Sequence, residues 1–174
     1  MPEIETTRLW LRPFLLKDLD ALAEIWADPI VMRHMRGRTP RTREQTEAGL
    51  IRIMQHQVEH GFSLWAVVLK AEAKLLGFCG LQYLDSTPEV EMGWLLAKEY
   101  WRRGLATEAA TAWLQYGFET LKLDRIVAIT RPENIASRGV MEKIGMHYEK
   151  DARYYETDCV YYAIDRQQWQ DGRA

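Results

Sequence analysis

The run Glu89-Val-Glu91-Met-Gly-Trp94-Leu95-Leu96 has the aliphatic and aromatic content of a strand, and Ala106 opens a stretch with apolar residues at helical intervals. Between them lie Trp101, Arg102, Arg103 and Gly104. The first backbone N–H groups of a helix have no intrahelical partner, and the helix dipole reinforces them, so a helix start is an anion site. Gly104 and Ala106 remove side-chain bulk there, which would let a diphosphate approach the main chain, and Arg102 and Arg103 add positive charge. A lone junction of this kind is more often a plain turn with solvated arginines. Glu91 could serve as a general base, acting through water, or could be a solvent-facing strand carboxylate; Glu89 lies on the same strand face and is an alternative base. Asn134 and Ser137 sit at a second helix start, where they could cap the helix, face a ligand, or do both.

Other signals carry less. His56-Gln-Val-Glu-His60 satisfies H-x-x-E-H, a metallopeptidase zinc pattern, but exposed polar residues at a helix end explain it more simply, and no metal is expected. Arg33, Arg36, Arg38, Arg41 and Arg43 crowd around Gly37 and Pro40; a solvated loop is the default, with docking of an acidic acceptor or of RNA as the alternatives. Trp26 and Trp113 fall at core-like positions. No Walker A, dinucleotide-binding or Gly-x-Ser-x-Gly element occurs.

The elements that must hold these residues follow from periodicity. A short strand is expected over Arg8–Pro13, and a helix from Leu16 to Trp26 that stops before Asp28-Pro29. After a basic loop, a second helix runs from Arg43 to His60, with Leu50, Ile51, Met54 and Val58 on one face and Gly61 as its stop. Strands are expected at Phe62–Leu69, Leu75–Leu84 and Val90–Leu96, a helix over Ala106–Leu121, a strand at Arg125–Thr130 and a helix over Asn134–Ile144 before Gly145. A hairpin closes the chain, Met146–Tyr154 and Cys159–Ile164, turning at Glu156-Thr157-Asp158. This order predicts a mixed, mostly antiparallel sheet of α+β class flanked by helices, with a right-handed βαβ crossover after Val90–Leu96.

With 174 residues, no repeat and no linker-like segment, the chain reads as one domain over 1–174. A net charge of −2 gives no overall attraction to nucleic acid or anionic lipid, and no stretch approaches the roughly eighteen apolar residues that span a bilayer. Two cysteines, Cys79 and Cys159, each within an apolar run, read as buried thiols of a cytoplasmic protein rather than as a disulfide.

The junction resembles the acetyl-CoA signature of the GNAT N-acetyltransferases, Gln/Arg-x-x-Gly-x-Gly/Ala, with Gly104-Leu105-Ala106 matching its second half. Trp101 replaces the first position, as in the branch that includes RimJ/RimL-type ribosomal-protein N-terminal acetyltransferases. Thr6-Thr-Arg-Leu-x-Leu-Arg12, Glu91-Met-Gly-Trp-Leu-Leu96, and Asn134-x-x-Ser137 followed by Glu142-Lys-Ile-Gly-Met146 also resemble that branch. The resemblance implies a splayed central sheet and acetyl transfer from acetyl-CoA to a primary amine in a ternary complex. Backbone groups of Trp94, Leu95 and Leu96 would meet the pantetheine arm and acetyl carbonyl. Amides from Arg102, Arg103, Gly104, Leu105, Ala106 and Thr107 would hold the diphosphate, while Asn134 and Ser137 would meet the arm and the thioester sulfur. Many members place a tyrosine where Met141 stands here; Ser137 is the substitute acid, with Tyr148 or Tyr154 in reserve. Glu91→Gln is then expected to lower kcat mainly at low pH. The acceptor, a protein N-terminus or a small amine, and the state, monomer or homodimer, stay open. The rival reading is a catalytically silent acyl-CoA-binding or ribosome-associated module.

Overall fold

Long aliphatic runs buried on both faces put three strands at the centre of one sheet, because a strand covered on both sides needs no polar alternation. The structure, a computed structural model, describes residues 2–173. Its eight strands are β1 (Ile4–Glu5), β2 (Leu9–Arg12), β3 (Leu64–Leu69), β4 (Lys74–Tyr83), β5 (Val90–Leu96), β6 (Arg125–Thr130), β7 (His147–Tyr154) and β8 (Thr157–Asp165), in the spatial order β1-β2-β3-β4-β5-β6-β8-β7. Every neighbouring pair is antiparallel except β5 and β6. The expected mixed, mostly antiparallel α+β architecture is the one observed.

The helices are α1 (Leu19–Trp26), α2 (Pro29–Met32), α3 (Arg43–His60), α4 (Leu105–Gln115), α5 (Ile135–Lys143) and α6 (Arg166–Asp171). Helix α3 begins at a capping box between Thr42 and Gln45 and ends at Gly61, whose φ of 78° is the left-handed conformation a glycine stop supplies. Its buried face differs from the expected one. Leu50 is buried with Thr46 and Gly49, whereas Ile51 is 41% and Val58 87% exposed. A Cβ on Gly49 would stand 2.9 Å from the Trp26 ring and 3.0 Å from the Arg41 guanidinium, so small residues let α1 approach.

Strands β1 and helices α2 and α6 were not expected, being too short to carry a period. The closing hairpin turns at Tyr155-Glu156, both at positive φ, rather than at Glu156-Thr157-Asp158. Helix α4 passes into a wider, π-type turn over Tyr116–Thr120. Trp26, Trp113, Cys79 and Cys159 are buried as expected, and both thiols are free. Among the described residues no helix is long and apolar enough to cross a membrane.

Two ties fix the N-terminal strand. Arg12 grips the buried carboxylate of Asp18 with two hydrogen bonds of 2.8 Å, and Asp18 also accepts the Leu15 N–H at 2.9 Å. Glu108, in the first turn of α4, accepts from the Thr6 hydroxyl at 2.6 Å and the Arg8 N–H at 2.8 Å, and pairs with the Arg8 guanidinium at 2.6 Å. These bonds explain why Thr6-x-Arg8 and Thr107-Glu108 occur together in one chain. Glu108→Ala is expected to cost about 1–3 kcal/mol, because it removes three hydrogen bonds at once; thermal unfolding checks it.

Candidate active site

Strands β5 and β6 touch at a single register pair, Glu91 with Val127. Past that pair β5 runs on through Met92–Leu96 with β4 as its strand partner, while β6 runs beside β8. The sheet therefore opens from Glu91 onward. Two cavities border the opening, one of about 720 Å³ toward the start of α4 and one of about 650 Å³ toward α3 and the β7–β8 hairpin. They share the residues Trp94, Asn134 and Ser137, together with His34 and Met35.

The cavity at α4 gathers Trp94, Leu95, Leu96, Arg102, Gly104, Leu105, Ala106, Thr107, Asn134 and Ser137. Gly104 is the N-cap residue, at φ 74°, and no side chain caps it. The amides of Leu105, Ala106 and Thr107 thus begin a helix without an internal acceptor, and two small residues leave them approachable. Arg102 takes a positive φ of 60° in the same loop. Arg103 does not line this cavity. Its guanidinium lies over the Tyr100 ring at 5.2 Å, and its carbonyl accepts from Arg8 at 2.8 Å. Trp101 donates its indole N–H to the Leu96 carbonyl at 2.7 Å, closing the loop from the end of β5 to α4. That bond gives the unusual tryptophan a structural task.

Asn134 caps α5 and does more. Its side-chain NH₂ donates to the Thr130 hydroxyl at the end of β6 (2.9 Å) and to the Ser137 hydroxyl (3.1 Å), while its oxygen accepts a long 3.4 Å bond from the Ser137 N–H. Ser137 therefore accepts through its oxygen and keeps its own O–H to donate. Met141 is buried and lines the second cavity.

Glu91 lies at the closed end of the opening and is buried, 7% exposed. Gln82 on β4 donates to one of its oxygens at 3.0 Å, and the Tyr155 hydroxyl donates to the other at 3.1 Å. The same hydroxyl accepts the Asp85 N–H at 2.8 Å. Burial raises the Glu91 carboxyl from the ordinary 4.5 to about 7, against the pull of the two hydrogen bonds and of Arg36. Burial, then the Glu91 charge, also push the Tyr155 hydroxyl up, so it remains a donor. A carboxylate poised near neutrality inside a cleft is what general-base chemistry needs. Glu89 is placed differently. It accepts a short hydrogen bond from Tyr161 and lines neither cavity. Of the reserve tyrosines, Tyr154 lines the cavity, whereas Tyr148 is half-exposed and bonds Asp151.

The sequence reading missed Gln82, Tyr155, His34 and Arg131, all lining this cavity. The arginine cluster is divided by the fold: Arg38 pairs with Glu133 and Arg43 with Asp20, Arg33 lines the α4 cavity, and Arg36 and Arg41 line the other. His56 is not an exposed helix-end residue. Its Nδ1 bonds the Phe62 carbonyl at 2.8 Å, its ring packs against His60 at 4.5 Å, and it lines the cavity. Among the described residues no group of three His, Cys, Asp or Glu side chains is arranged to hold a metal.

An opened parallel strand pair, an uncapped helix start on one side and a buried carboxylate on the other define an acyl-transfer fold. Residues 8–147 match the Acetyltransferase (GNAT) domain, and the chain belongs to that family and is an acetyltransferase. It is 36% identical to the uncharacterized N-acetyltransferase YnaD of Bacillus subtilis, over 84% of this chain and 83% of that one. It is 34% identical to the uncharacterized protein YkkB of the same organism, over 87% and 88%. A GNAT-family acetyltransferase structure from Bacillus anthracis superimposes with a TM-score of 0.83 at 33% identity, covering 95% of this chain and 99% of that one.

Proposed function

We propose that the protein transfers the acetyl group of acetyl-CoA to a primary amine in a ternary complex, within one domain over residues 1–174. The observation that carries this reading is the meeting of two cavities at Trp94, Asn134 and Ser137, one ending on the bare start of α4 and the other on Glu91. Acetyl-CoA supplies an activated acyl group on a thiol that leaves readily, its pKa being about 8.5. The amides of Leu105, Ala106 and Thr107, with Arg102 beside them, bind the diphosphate. The unpaired edge of β5 from Trp94 to Leu96 meets the pantetheine arm, and a main-chain N–H near Leu95 polarises the carbonyl, a contribution typically worth around 10²–10³ in rate.

Asn134 directs both N–H donors to Thr130 and Ser137, so its oxygen is what it offers an amide of the arm. The amine nitrogen bonds to the acetyl carbon as the carbon–sulfur bond breaks. Glu91 takes the amine proton through water, and the Ser137 O–H donates to the departing sulfur. An α-amine, with a pKa of about 8, asks less of this base than a lysine at about 10.4.

Asn134→Ala is expected to raise the KM for acetyl-CoA about tenfold, in line with the loss of one well-placed polar partner, while coenzyme A binding followed by calorimetry weakens in parallel. If wild-type protein gives no binding heat with coenzyme A, this reading fails. Within the family we place the chain nearest the RimJ/RimL-like branch, on the motifs at Thr6–Arg12 and Trp101–Ala109. The ribosomal-protein-S5-alanine acetyltransferase of Vibrio fischeri is similar in fold, with a TM-score of 0.77 at 21% identity. Two buried free thiols suit a cytoplasmic setting.

A further inference from the structure

Eight of the protein's sixteen arginines pair with carboxylates among the described residues, and the rest form two groups of four, one of which, Arg33, Arg102, Arg103 and Arg138, does not line the cavity that holds Glu91. Arg8, Arg12, Arg38, Arg43, Arg125, Arg153, Arg166 and Arg173 pair with carboxylates. Arg36, Arg41, Arg52 and Arg131 pair with none among the described residues, and all four line the cavity that holds Glu91. Arg41 is half-buried, stacked over Trp26 at 4.4 Å, and close enough to Arg36 and Arg52 for the three charges to repel. Arg36 and Arg52 are exposed while Arg41 and Arg131 are half-buried, so the cavity carries a positive potential that a ligand of opposite sign would meet favourably. Glu91, half-neutral near pH 7, is too little to balance four.

Unsatisfied donors point the same way. The Trp26 Nε1–H, the Arg131 Nε–H and the His34 Nδ1 are buried without a hydrogen-bond partner, and all three residues line this cavity, as does His56, whose unpartnered Nε2 is the one acceptor among them because Nδ1 donates to Phe62. His34 accepts from Arg33 through Nε2 at 3.0 Å, which leaves the proton on Nδ1 and makes that atom a donor too. Buried donors are rarely left unpaired in proteins, so a ligand rich in acceptors is what the cavity lacks.

We propose that the acceptor amine belongs to a molecule that also carries a carboxylate or phosphate, seated on Arg41 with Arg36 and Arg52, so that the amine reaches Glu91. This rests on the acetyl-transfer reading above and names the substrate class for it. Arg131 and His34 line the same chamber and strengthen its positive potential. A polyamine, cationic at neutral pH, or a lysine-rich segment would meet repulsion.

The test uses matched amines with acetyl-CoA and follows thiol release: O-phosphoethanolamine against ethanolamine, β-alanine against β-alaninamide, and a peptide beginning Ala-Asp against one beginning Ala-Asn. The preferred pair tells which source of the anion is used. At least one anionic member is expected to exceed its neutral partner about tenfold or more in kcat/KM, the scale of one charge-assisted hydrogen bond. Arg41→Gln should erase that preference through KM, with the Kd for coenzyme A held within about twofold. Arg52→Gln, on an exposed face of α3, should reduce it without risk to folding. Equal or better rates with every neutral partner, or a preference that survives both substitutions, would overturn the proposal. Should no amine turn over, calorimetry of O-phosphoethanolamine into protein saturated with coenzyme A decides, and absence of saturable heat counts against it. If coenzyme A itself does not bind, the acetyl-transfer reading falls, while the same titration on wild type and Arg41→Gln still judges the anion seat.

Discussion

Glu91→Gln is expected to lower kcat by about 10²-fold or more and, at about pH 8, to make the protein more heat-stable. The two effects share one cause. Burial lifts the carboxyl to about 7, whereas in the unfolded chain it ionises near its ordinary value of 4.5. Between those values the folded state holds a proton that the unfolded state has lost, so stability falls as pH rises through the interval and stays reduced above it. A displacement of that size corresponds to roughly 3 kcal/mol. Glutamine keeps the shape without the charge and escapes that penalty, so its melting temperature should exceed that of wild type by roughly 6–12 °C at about pH 8. At about pH 4 both proteins carry a neutral group, and the difference should vanish.

Activity runs the other way. A base that titrates near 7 gives a rate that climbs through neutrality and levels off, and the variant should lack that limb. The loss is therefore expected to be largest above pH 7, where the buried carboxyl is ionised, and not at low pH as expected from the sequence. A variant that keeps the wild-type pH–rate profile would remove Glu91 from the chemistry. Tyr155→Phe offers a graded companion: the carboxylate loses one donor, and the limb should move to higher pH with kcat largely kept.

Gly77→Ala is expected to destabilise the fold by about 3 kcal/mol or more and to weaken coenzyme A binding with it. Gly77 lies on β4 opposite Leu96, at φ 148°. A Cβ there would stand 2.0 Å from the Leu95 carbonyl oxygen and 3.0 Å from the Leu96 Cα. Both are backbone atoms of a strand paired along its length, so neither can step aside cheaply. The strand that must be displaced is the one whose opposite, unpaired edge is proposed to meet the pantetheine arm. Gly139→Ala in α5 is the control: a Cβ there meets nothing within 4 Å, and the helix should gain about 0.5–1 kcal/mol. Thermal unfolding and calorimetry on the two variants decide it, and a Gly77→Ala protein with wild-type stability would contradict the geometry.

Strands β5 and β6 and helix α3 were legible in the sequence because they carry strong local signals, aliphatic runs bounded by polar residues in the first two and a stop glycine, Gly61, in the last. The helix start at Gly104 was legible for the same reason. Tyr155 was not. It occupies a hairpin turn with no glycine or asparagine to mark it, and its partner Glu91 is 64 residues away in the chain. The burial of Glu91 was equally hidden, since it depends on Gln82 and the hairpin tip closing over it. Arg41 read as one of several loop cations. Its stacking on Trp26 required knowing that Gly49 opens a space there, and the hydrophobic residues of α3 pointed to the wrong face.

A single rung between β5 and β6 makes the gap a wedge with its apex at Glu91. The apex is clamped from both sides, by Gln82 from the β4 side and by Tyr155 from the hairpin that belongs with β6 and β8. A rigid opening of the two sheet halves about that clamp would move the wide mouth near Leu96 and Thr130 most and Glu91 least. On the function proposed above, the broad end would yield to a bulky nucleotide while the tip keeps its aim.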